Sequence, residues 1–206
     1  MSKANDDKMT VPHAGAGSKV STLDLTLCGF FAALIAIGAF IRIAIPVEPY
    51  AMHFTMQWFV VLMAGLLLGR KRAAMSVCVY LVIGLVGVPV FASGGGPAYL
   101  IRPTFGFLLG FALAAYIMGL MMERKEKPSF AWTMLSSFAG LMAYYAVGIL
   151  YFYFISNYVI NVPVGWGLVM INCCLLTIFQ DALLCVPAVF ASRRLRGVFQ
   201  KLMINS

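Results

Sequence analysis

Two charged residues, Asp181 and Arg102, lie in parts of the sequence where charge is costly. Asp181 stands in the apolar run FQDALL, and Arg102 directly precedes Pro103 and a second long apolar run. A carboxylate accepts hydrogen bonds from N–H groups, and a guanidinium can hold a carboxylate through two parallel hydrogen bonds. Because ionisable side chains are expensive in apolar segments, both residues are candidates for contacts with a polar ligand.

Both residues also have a structural alternative. Asp181 could form an ion pair or be a protonated acid held by a neighbouring helix, and Arg102 could extend its side chain to lipid phosphates. The cost of burying a carboxylate favours the functional interpretation of Asp181. Gln180 adds a polar group beside it, although adjacent helical positions face different ways.

A run of three glycines, Gly94, Gly95 and Gly96, is followed by Pro97 in the sequence SGGGPAYLIRP. Glycines let the backbone approach a ligand closely, because no side chain intervenes. The run is not a phosphate-binding loop, since no GK[ST] follows it. A tight turn between two helices is the structural alternative, and the sequence favours neither.

Aromatic residues are frequent near these polar groups. Phe91, Tyr99 and Tyr151 could form the walls of a pocket for a flat ligand. Aromatic belts at a membrane surface are the other explanation, and the sequence alone does not separate the two.

The composition decides which environment these residues occupy. The chain has 206 residues, of which 62% are hydrophobic and 11% are charged. Soluble domains are closer to half apolar and one quarter charged. A chain this small cannot bury so many apolar residues inside itself, so we expect its solvent to be lipid. This excludes a soluble enzyme, a disordered chain and a conventional nucleic-acid binder.

Apolar runs of roughly bilayer-spanning length predict an all-α integral membrane protein with six transmembrane helices. The predicted segments are Leu23–Ile45, Phe54–Leu68, Ala73–Val90, Thr104–Met122, Trp132–Ile155 and Gly167–Ala191. Residues 1–20 are polar and are predicted to be a disordered cytoplasmic tail, which leaves residues 21–206 as the membrane domain.

The basic residues predict the orientation in the cell membrane. Of the 15 Lys and Arg residues, only Arg42 and Arg102 fall on one side of a six-helix alternation. The others lie in the N-terminal tail, in the loops after the second and fourth segments, and in the C-terminal tail. The positive-inside rule then places both termini in the cytoplasm.

The sequence predicts neither an enzyme nor a metal site. The five cysteines all lie in apolar runs without a CxxC pair, and no Walker motif, HExxH or GxSxG is present. No cofactor is predicted. A chain that captures a solute would therefore need its energy source in another protein.

Small residues in the first segment predict a close helix contact. Ala32 and Ala36 are four residues apart on one face, with Gly29 and Ala33 on the adjoining stripe. Such spacing lets a second helix approach closely. Packing within this chain is the alternative to contact with a partner.

Several longer motifs resemble the BioY family of biotin-binding substrate (S) components of energy-coupling-factor (ECF) transporters. The matching pieces are FTMQ, AGLLLG, GLVGVPVF, SGGGPAYLIRPTFGFLLGF and, more weakly, FQDALL. Six helices and a chain of 206 residues also match that family.

The resemblance implies a function and a set of partners. The chain would bind biotin near the outer face and dock on a membrane coupling subunit, the T component, that carries two cytosolic ATPase subunits. Docking would use the AxxxA pattern at Ala32 and Ala36. Arg102 and Asp181 fall where the family places polar contacts to the ligand. Leu184 stands where many members have a lysine, and Gln180 is the alternative source of that contact.

Chemical complementarity agrees with this ligand. A carboxylate such as Asp181 can accept from a ureido N–H of biotin, and Arg102 can neutralise the valerate carboxylate. The backbone of Gly94–Gly96 can pack closely, and Phe91, Tyr99 and Tyr151 can bury the ring. Two other functions remain open from the sequence: an S component for another vitamin, and a small channel or proton-coupled carrier gated by Asp181.

Overall fold

The computed structural model describes residues 21–45, 52–171 and 177–204. The predicted tail at residues 1–20 lies outside this part of the chain. Within it, seven α-helices and one two-stranded sheet are present. The helices are α1 (Thr22–Phe40), α2 (Gln57–Leu68), α3 (Arg70–Leu85), α4 (Phe105–Glu123), α5 (Phe130–Phe154), α6 (Trp166–Met170) and α7 (Ile178–Ile204), and the strands are β1 (Arg42–Ile45) and β2 (Met52–Thr55).

Three helical segments of the described chain are long and apolar enough to cross a bilayer. They are Thr22–Phe40, Phe105–Glu123 and Phe130–Val159, and α2 is a shorter apolar helix. The mostly helical, membrane-protein part of the prediction is therefore confirmed. The predicted number of six membrane crossings is larger than the three segments found in the described chain and stays a prediction.

The first predicted segment is too long, and the prediction of an all-α chain is wrong at this point. Helix α1 ends at Phe40, and the next residues form β1, which pairs with β2 in an antiparallel hairpin with Arg42 opposite Thr55. The Met56 backbone N–H donates to the Ile41 carbonyl at 3.1 Å and closes the base of this hairpin. An apolar run with β-branched residues is compatible with helix and strand alike, which explains the error.

The sixth predicted segment is also not one helix. It begins with the short helix α6, and α7 starts at Ile178, while residues 172–176 between them are not described. Helix α7 continues past Ala191 to Ile204, so Arg193, Arg194 and Arg196 lie in a helix and not in a tail. Asp181 lies in the first turn of α7, whereas the predicted segment Gly167–Ala191 would place it near the middle of a helix.

The basic residues after α2 are helical too. Gly69 alone separates α2 from α3, with a φ of 80° that favours glycine. The predicted loop with Arg70, Lys71 and Arg72 is thus the first turn of α3.

Ion pairs gather at one end of the bundle, which we call the basic end. Arg72 pairs with Asp24, so the starts of α3 and α1 meet there. Arg70 pairs with Glu123 at 3.2 Å, which adds the end of α4. Helix α2 also ends there, directly before α3, and Arg196 of α7 donates to the Met122 carbonyl near the end of α4. Helices α2, α4 and α7 therefore begin at the opposite end of the bundle, which we call the cavity end.

Helices α4 and α5 pack closely through glycines. A Cβ on Gly106 would lie 2.2 Å from the Cβ of Tyr151, and one on Gly110 would lie 2.6 Å from the Tyr144 carbonyl oxygen. On the opposite helix, a Cβ on Gly148 would lie 2.2 Å from the Phe107 ring. Small residues at these positions allow the helix backbones to approach, as is usual between helices in lipid.

Large apolar side chains also cover the outside of the bundle. Leu183 is 70% exposed, and Phe40, Leu150 and Phe154 are more than half exposed. Exposed apolar residues on this scale are typical of a lipid-facing or partner-facing surface.

Candidate functional site

A cavity at the cavity end of the bundle brings together residues from β2, α2, the α3–α4 connection, α4, α5 and α7. Its empty space is about 640 Å³ when the open space at its mouth is included. The lining residues are Thr55, Gln57, Trp58, Ala92, Tyr99, Thr104, Phe107, Leu108, Phe111, Tyr144, Thr177 and Asp181.

Asp181 is the charged residue of this lining and is only 5% exposed. Its Oδ2 accepts a hydrogen bond from the Tyr145 hydroxyl at 2.7 Å. Tyr145 and Thr177 hydroxyls are 2.8 Å apart, and since the Tyr145 proton goes to Asp181, Thr177 is the donor in that pair. Hydroxyl groups of the chain thus satisfy part of the hydrogen-bonding capacity of the carboxylate. Its remaining lone pairs can accept a hydrogen bond from a ligand in the cavity.

The backbone of Asp181 is fixed from a second direction. The Trp58 indole N–H donates to the Asp181 carbonyl at 3.2 Å, so α2 is bonded to the start of α7. The Cys185 thiol donates to the same carbonyl at 3.4 Å. These contacts hold the carboxylate at a defined place in the wall.

Three stacked rings form the apolar wall of the cavity. Trp58 stacks on Tyr144 at 4.9 Å between centroids with 16° between the planes, and Tyr144 stacks on Phe111 at 4.9 Å with 25°. A flat apolar surface of this kind suits a compact ring, and the nearby carboxylate can fix its orientation.

A second polar group, Gln57, faces the cavity from the start of α2. It is 2% exposed, and its amide donates to the Tyr80 hydroxyl at 2.6 Å. The Thr55 hydroxyl donates to the Gln57 amide oxygen at 3.3 Å. Tyr80 in turn donates to the Val90 carbonyl, so the amide nitrogen is oriented by residues that do not line the cavity.

The glycine run forms a tight turn beside the site. Phe91 and Gly94 exchange two backbone hydrogen bonds, at 2.9 and 3.2 Å, and the Gly96 N–H donates to the Gly84 carbonyl at 2.7 Å. Gly94 and Gly96 have φ of 114° and 98°, which other residues rarely adopt. The cavity lining includes Ala92 and Tyr99, on either side of this turn, but none of the residues Gly94, Gly95 and Gly96. The turn therefore contributes to the site by positioning Ala92 and Tyr99.

The other predicted aromatic residues lie around Tyr99. Phe91 is buried, with its ring centroid 4.6 Å from that of Tyr99, and so it supports the cavity wall from behind. Tyr151 donates through its hydroxyl to the Leu100 carbonyl and ties α5 to the same connection. Neither Phe91 nor Tyr151 lines the cavity.

Arg102 and Gln180 lie outside the lining. Arg102 is exposed, and its guanidinium carbon is 4.9 Å from the centroid of the Tyr99 ring. Gln180 is half-buried next to Asp181. The structure thus brings Asp181 and Tyr99 together in the cavity lining, and Arg102 lies outside it, over the Tyr99 ring.

Ala32 does not face outward as a partner contact would require. It is 3% exposed and belongs to the core of this chain, and Ala36 packs partly against that core. Gly29 and Ala33, on the adjoining stripe, are exposed. Packing within the chain, the alternative stated for this motif, describes Ala32.

The sequence did not single out most of the lining. Gln57 lies in the motif FTMQ, but the sequence does not show to which side of the helix the amide of such a residue points. Trp58, Tyr144, Phe111 and Thr177 come from separate elements and meet only in the folded chain.

Comparison with known proteins gives a consistent result. The BioY family model matches residues 9–201. A probable biotin transporter BioY from Lysinibacillus sphaericus is 41% identical over 180 residues, which cover 87% of this chain and 90% of that protein. The biotin transporter BioY of Thermotoga maritima is 41% identical over 138 residues, 66% of this chain and 76% of that protein.

A solved structure is similar as well. The crystal structure of an S-component for biotin from an ECF-type ABC transporter superposes with a TM-score of 0.64. The match has 25% sequence identity and covers 85% of this chain and 91% of the other. Sequence and fold therefore point to the same group of proteins.

Proposed function

The chain belongs to the BioY family, and on this premise we propose that it binds biotin in the cavity lined by Asp181 and delivers it across the membrane as the S component of an ECF transporter. In this proposal separate ATPase subunits supply the energy, because the similar solved structure is the S-component of an ECF-type ABC transporter.

The observation that carries this proposal is a buried carboxylate beside a stacked aromatic wall. Biotin has a ureido ring with two N–H donors, an apolar thiophane ring and a valerate chain that ends in a carboxylate. Asp181 accepts from a ureido N–H, and the Trp58–Tyr144–Phe111 stack covers the apolar ring. A ligand without an N–H donor would leave the buried carboxylate poorly solvated, which gives specificity.

Gln57 completes the recognition of the ureido group in this proposal. One N–H of its amide is used by Tyr80, and the second is available to a carbonyl oxygen in the cavity. An acceptor at Asp181 and a donor at Gln57 match the N–H and C=O groups of a ureido ring.

Arg102 receives the valerate carboxylate at the rim. Its guanidinium lies over Tyr99, a lining residue, and remains exposed. The charged end of the ligand would then stay near water, while the ring is buried at Asp181. The turn at Gly94–Gly96 acts by holding Tyr99 and Ala92 in position.

Binding of tritiated biotin to the purified chain in detergent is the direct test. We expect saturable binding that unlabelled biotin displaces and that thiamine and riboflavin do not. Displacement by one of these vitamins but not by biotin would assign another substrate. Flux of biotin through liposomes that contain this chain alone, lost in Asp181→Asn, would instead support a carrier without ATPase partners.

The orientation proposed from the basic residues places the cavity end outside and both termini in the cytoplasm of the cell. The gathering of Arg70, Arg72 and Arg196 at the basic end supports it, since cytoplasmic ends are rich in Lys and Arg. A green fluorescent protein fused after residue 126 should fluoresce, and one fused after residue 94 should not. The opposite pattern would reverse the orientation.

Docking on a coupling subunit is proposed for the exposed side of α1. Ala32 is buried in the core of this chain, whereas Gly29 and Ala33 are small residues that are exposed on the surface of α1. Ala33→Trp should abolish co-purification with the coupling subunit and leave biotin binding unchanged. Ala36→Trp, at the half-buried position, should have an intermediate effect. If Ala33→Trp co-purifies like the unmodified chain, this face is not the docking surface.

A further inference from the structure

A second cavity lies at the basic end, between the end of α4, the α4–α5 connection, the start of α5 and the C-terminal half of α7. Its empty space is about 580 Å³ when the open space at its mouth is included, and it shares no lining residue with the Asp181 cavity. It is lined by Met122, Glu126, Lys127, Pro128, Thr133, Ser192, Arg193, Arg196 and Gly197.

Positive charge dominates this cavity. Lys127, Arg193 and Arg196 line it together with one carboxylate, Glu126. The ion pairs found in the described part of the chain are Arg70–Glu123 and Arg72–Asp24, so none of the three cations is in a salt bridge there. Unpaired cations around a concave site favour an anionic ligand.

The guanidinium of Arg196 is held in place by the backbone. It donates to the carbonyls of Met122 at 3.3 Å and Lys125 at 3.4 Å, at the end of α4. The hydroxyls of Ser192 and Thr133 are used as donors to the carbonyls of Val189 and Ser129. The donors left for a ligand are therefore mainly those of the cationic side chains.

Aromatic side chains flank the cavity on its outer side. Phe130 is 39% exposed and Phe190 is 59% exposed, with their ring centroids 5.3 Å apart. The Arg193 guanidinium lies 5.8 Å from the Phe130 ring, so the charged cavity and the apolar surface are continuous. On the same helix as Phe130, the Trp132 ring centroid lies 4.1 Å from the Lys125 ammonium nitrogen. Aromatic and basic residues in this combination are typical of the membrane interface.

We propose that this cavity binds the phosphate of an anionic phospholipid headgroup, with the acyl chains against Phe130 and Phe190. Basic pockets between helices at a cytoplasmic surface hold such headgroups, and each cation contributes to the attraction. A free phosphate ion would use the same cations but would leave the two exposed phenylalanines without a role. This inference rests on the membrane orientation of the proposed function.

Native mass spectrometry of the whole chain in detergent tests the proposal, with dioleoylphosphatidylglycerol and dioleoylphosphatidylcholine as probes. We expect one retained phosphatidylglycerol per chain and weaker retention of phosphatidylcholine. Lys127→Gln and Arg193→Gln should each weaken phosphatidylglycerol binding about fivefold. Arg194→Gln is the matched control, because Arg194 is an exposed neighbour that does not line the cavity.

Several outcomes would overturn the proposal. Equal retention of both lipids, or equal losses in Arg193→Gln and Arg194→Gln, would show nonspecific attraction. Displacement of the lipid by millimolar inorganic phosphate would assign the cavity to the free ion. Loss of the coupling subunit with unchanged lipid binding would make it a protein contact. Tritiated biotin binding by the same preparations separates these outcomes from a failure of the proposed function.

Discussion

The two ends of the bundle use polar residues in opposite ways. At the basic end, charges are paired across helix termini, as in Arg72 with Asp24 and Arg70 with Glu123, and most of these side chains are partly exposed. At the cavity end, Asp181 is a buried carboxylate whose described partners are hydroxyls. The comparison teaches that the ion pairs at the basic end join helices, whereas the Asp181 carboxylate at the cavity end is kept available for a ligand.

The largest effect expected from this difference is on Asp181. Asp181→Ala should weaken biotin binding about 100-fold, because a charge-assisted hydrogen bond is lost and the Tyr145 hydroxyl is left without its acceptor. Equilibrium binding of tritiated biotin measures this. Glu123→Gln, which removes a carboxylate at the basic end, should leave affinity unchanged. Equal affinity in Asp181→Ala and the unmodified chain would remove Asp181 from the site.

Gln57 should have the next largest effect. Gln57→Leu keeps a similar volume but removes the amide that faces the cavity, and we expect about tenfold weaker biotin binding. Tyr80→Phe is the control, because it removes the hydroxyl behind Gln57 and leaves the amide present. A loss in Tyr80→Phe as large as in Gln57→Leu would mean that Gln57 only supports the fold.

Arg102 should have a smaller and salt-dependent effect. Arg102→Gln removes an exposed charge at the rim, and we expect about fivefold weaker biotin binding at low ionic strength and a smaller difference at 0.5 M salt. Titration at the two salt concentrations measures both values. Arg124→Gln, an exposed position beyond α4, should change neither. An unchanged affinity in Arg102→Gln at low salt would exclude Arg102 from the site.

The smallest effect is expected at the basic end and on a different quantity. Arg72→Gln should lower the free energy of unfolding by about 1 kcal/mol, because it breaks a partly exposed ion pair between α1 and α3. The apparent Tm in detergent should fall, and biotin affinity should not change. A loss of affinity without a change in Tm would contradict the division between the two ends.

The sequence predicted best those elements whose limits are marked by local signals. Helix α4 runs from Phe105 to Glu123, against the predicted Thr104–Met122, because Pro103 precedes it and charges follow it. Helix α5 begins at Phe130, two residues before the predicted Trp132, and Ser129 is its N-cap. Apolar runs between such signals are reliably helical in a chain of this composition.

The errors arise where an apolar run continues through a change of structure. The residues Arg42–Ile45 are as apolar around the arginine as the helix before them, and only pairing with Met52–Thr55 makes them a strand. The cavity was predicted only in part, because most of its lining residues come together only in the folded chain. Asp181 stood out as a charge in an apolar run, but Gln57 and the stacked rings acquire a common position only through long-range packing.

The glycine contacts between α4 and α5 have a consequence for ligand release. Backbone and ring atoms fill the space at Gly106, Gly110 and Gly148, so α4 and α5 are in close contact at these positions. Tyr144 and Phe111 therefore lie on a closely packed helix pair, which we expect to move as one unit. The side of the cavity formed by α7, where Trp58 and Tyr145 hold Asp181 through hydrogen bonds, is the one we expect to shift when the vitamin leaves.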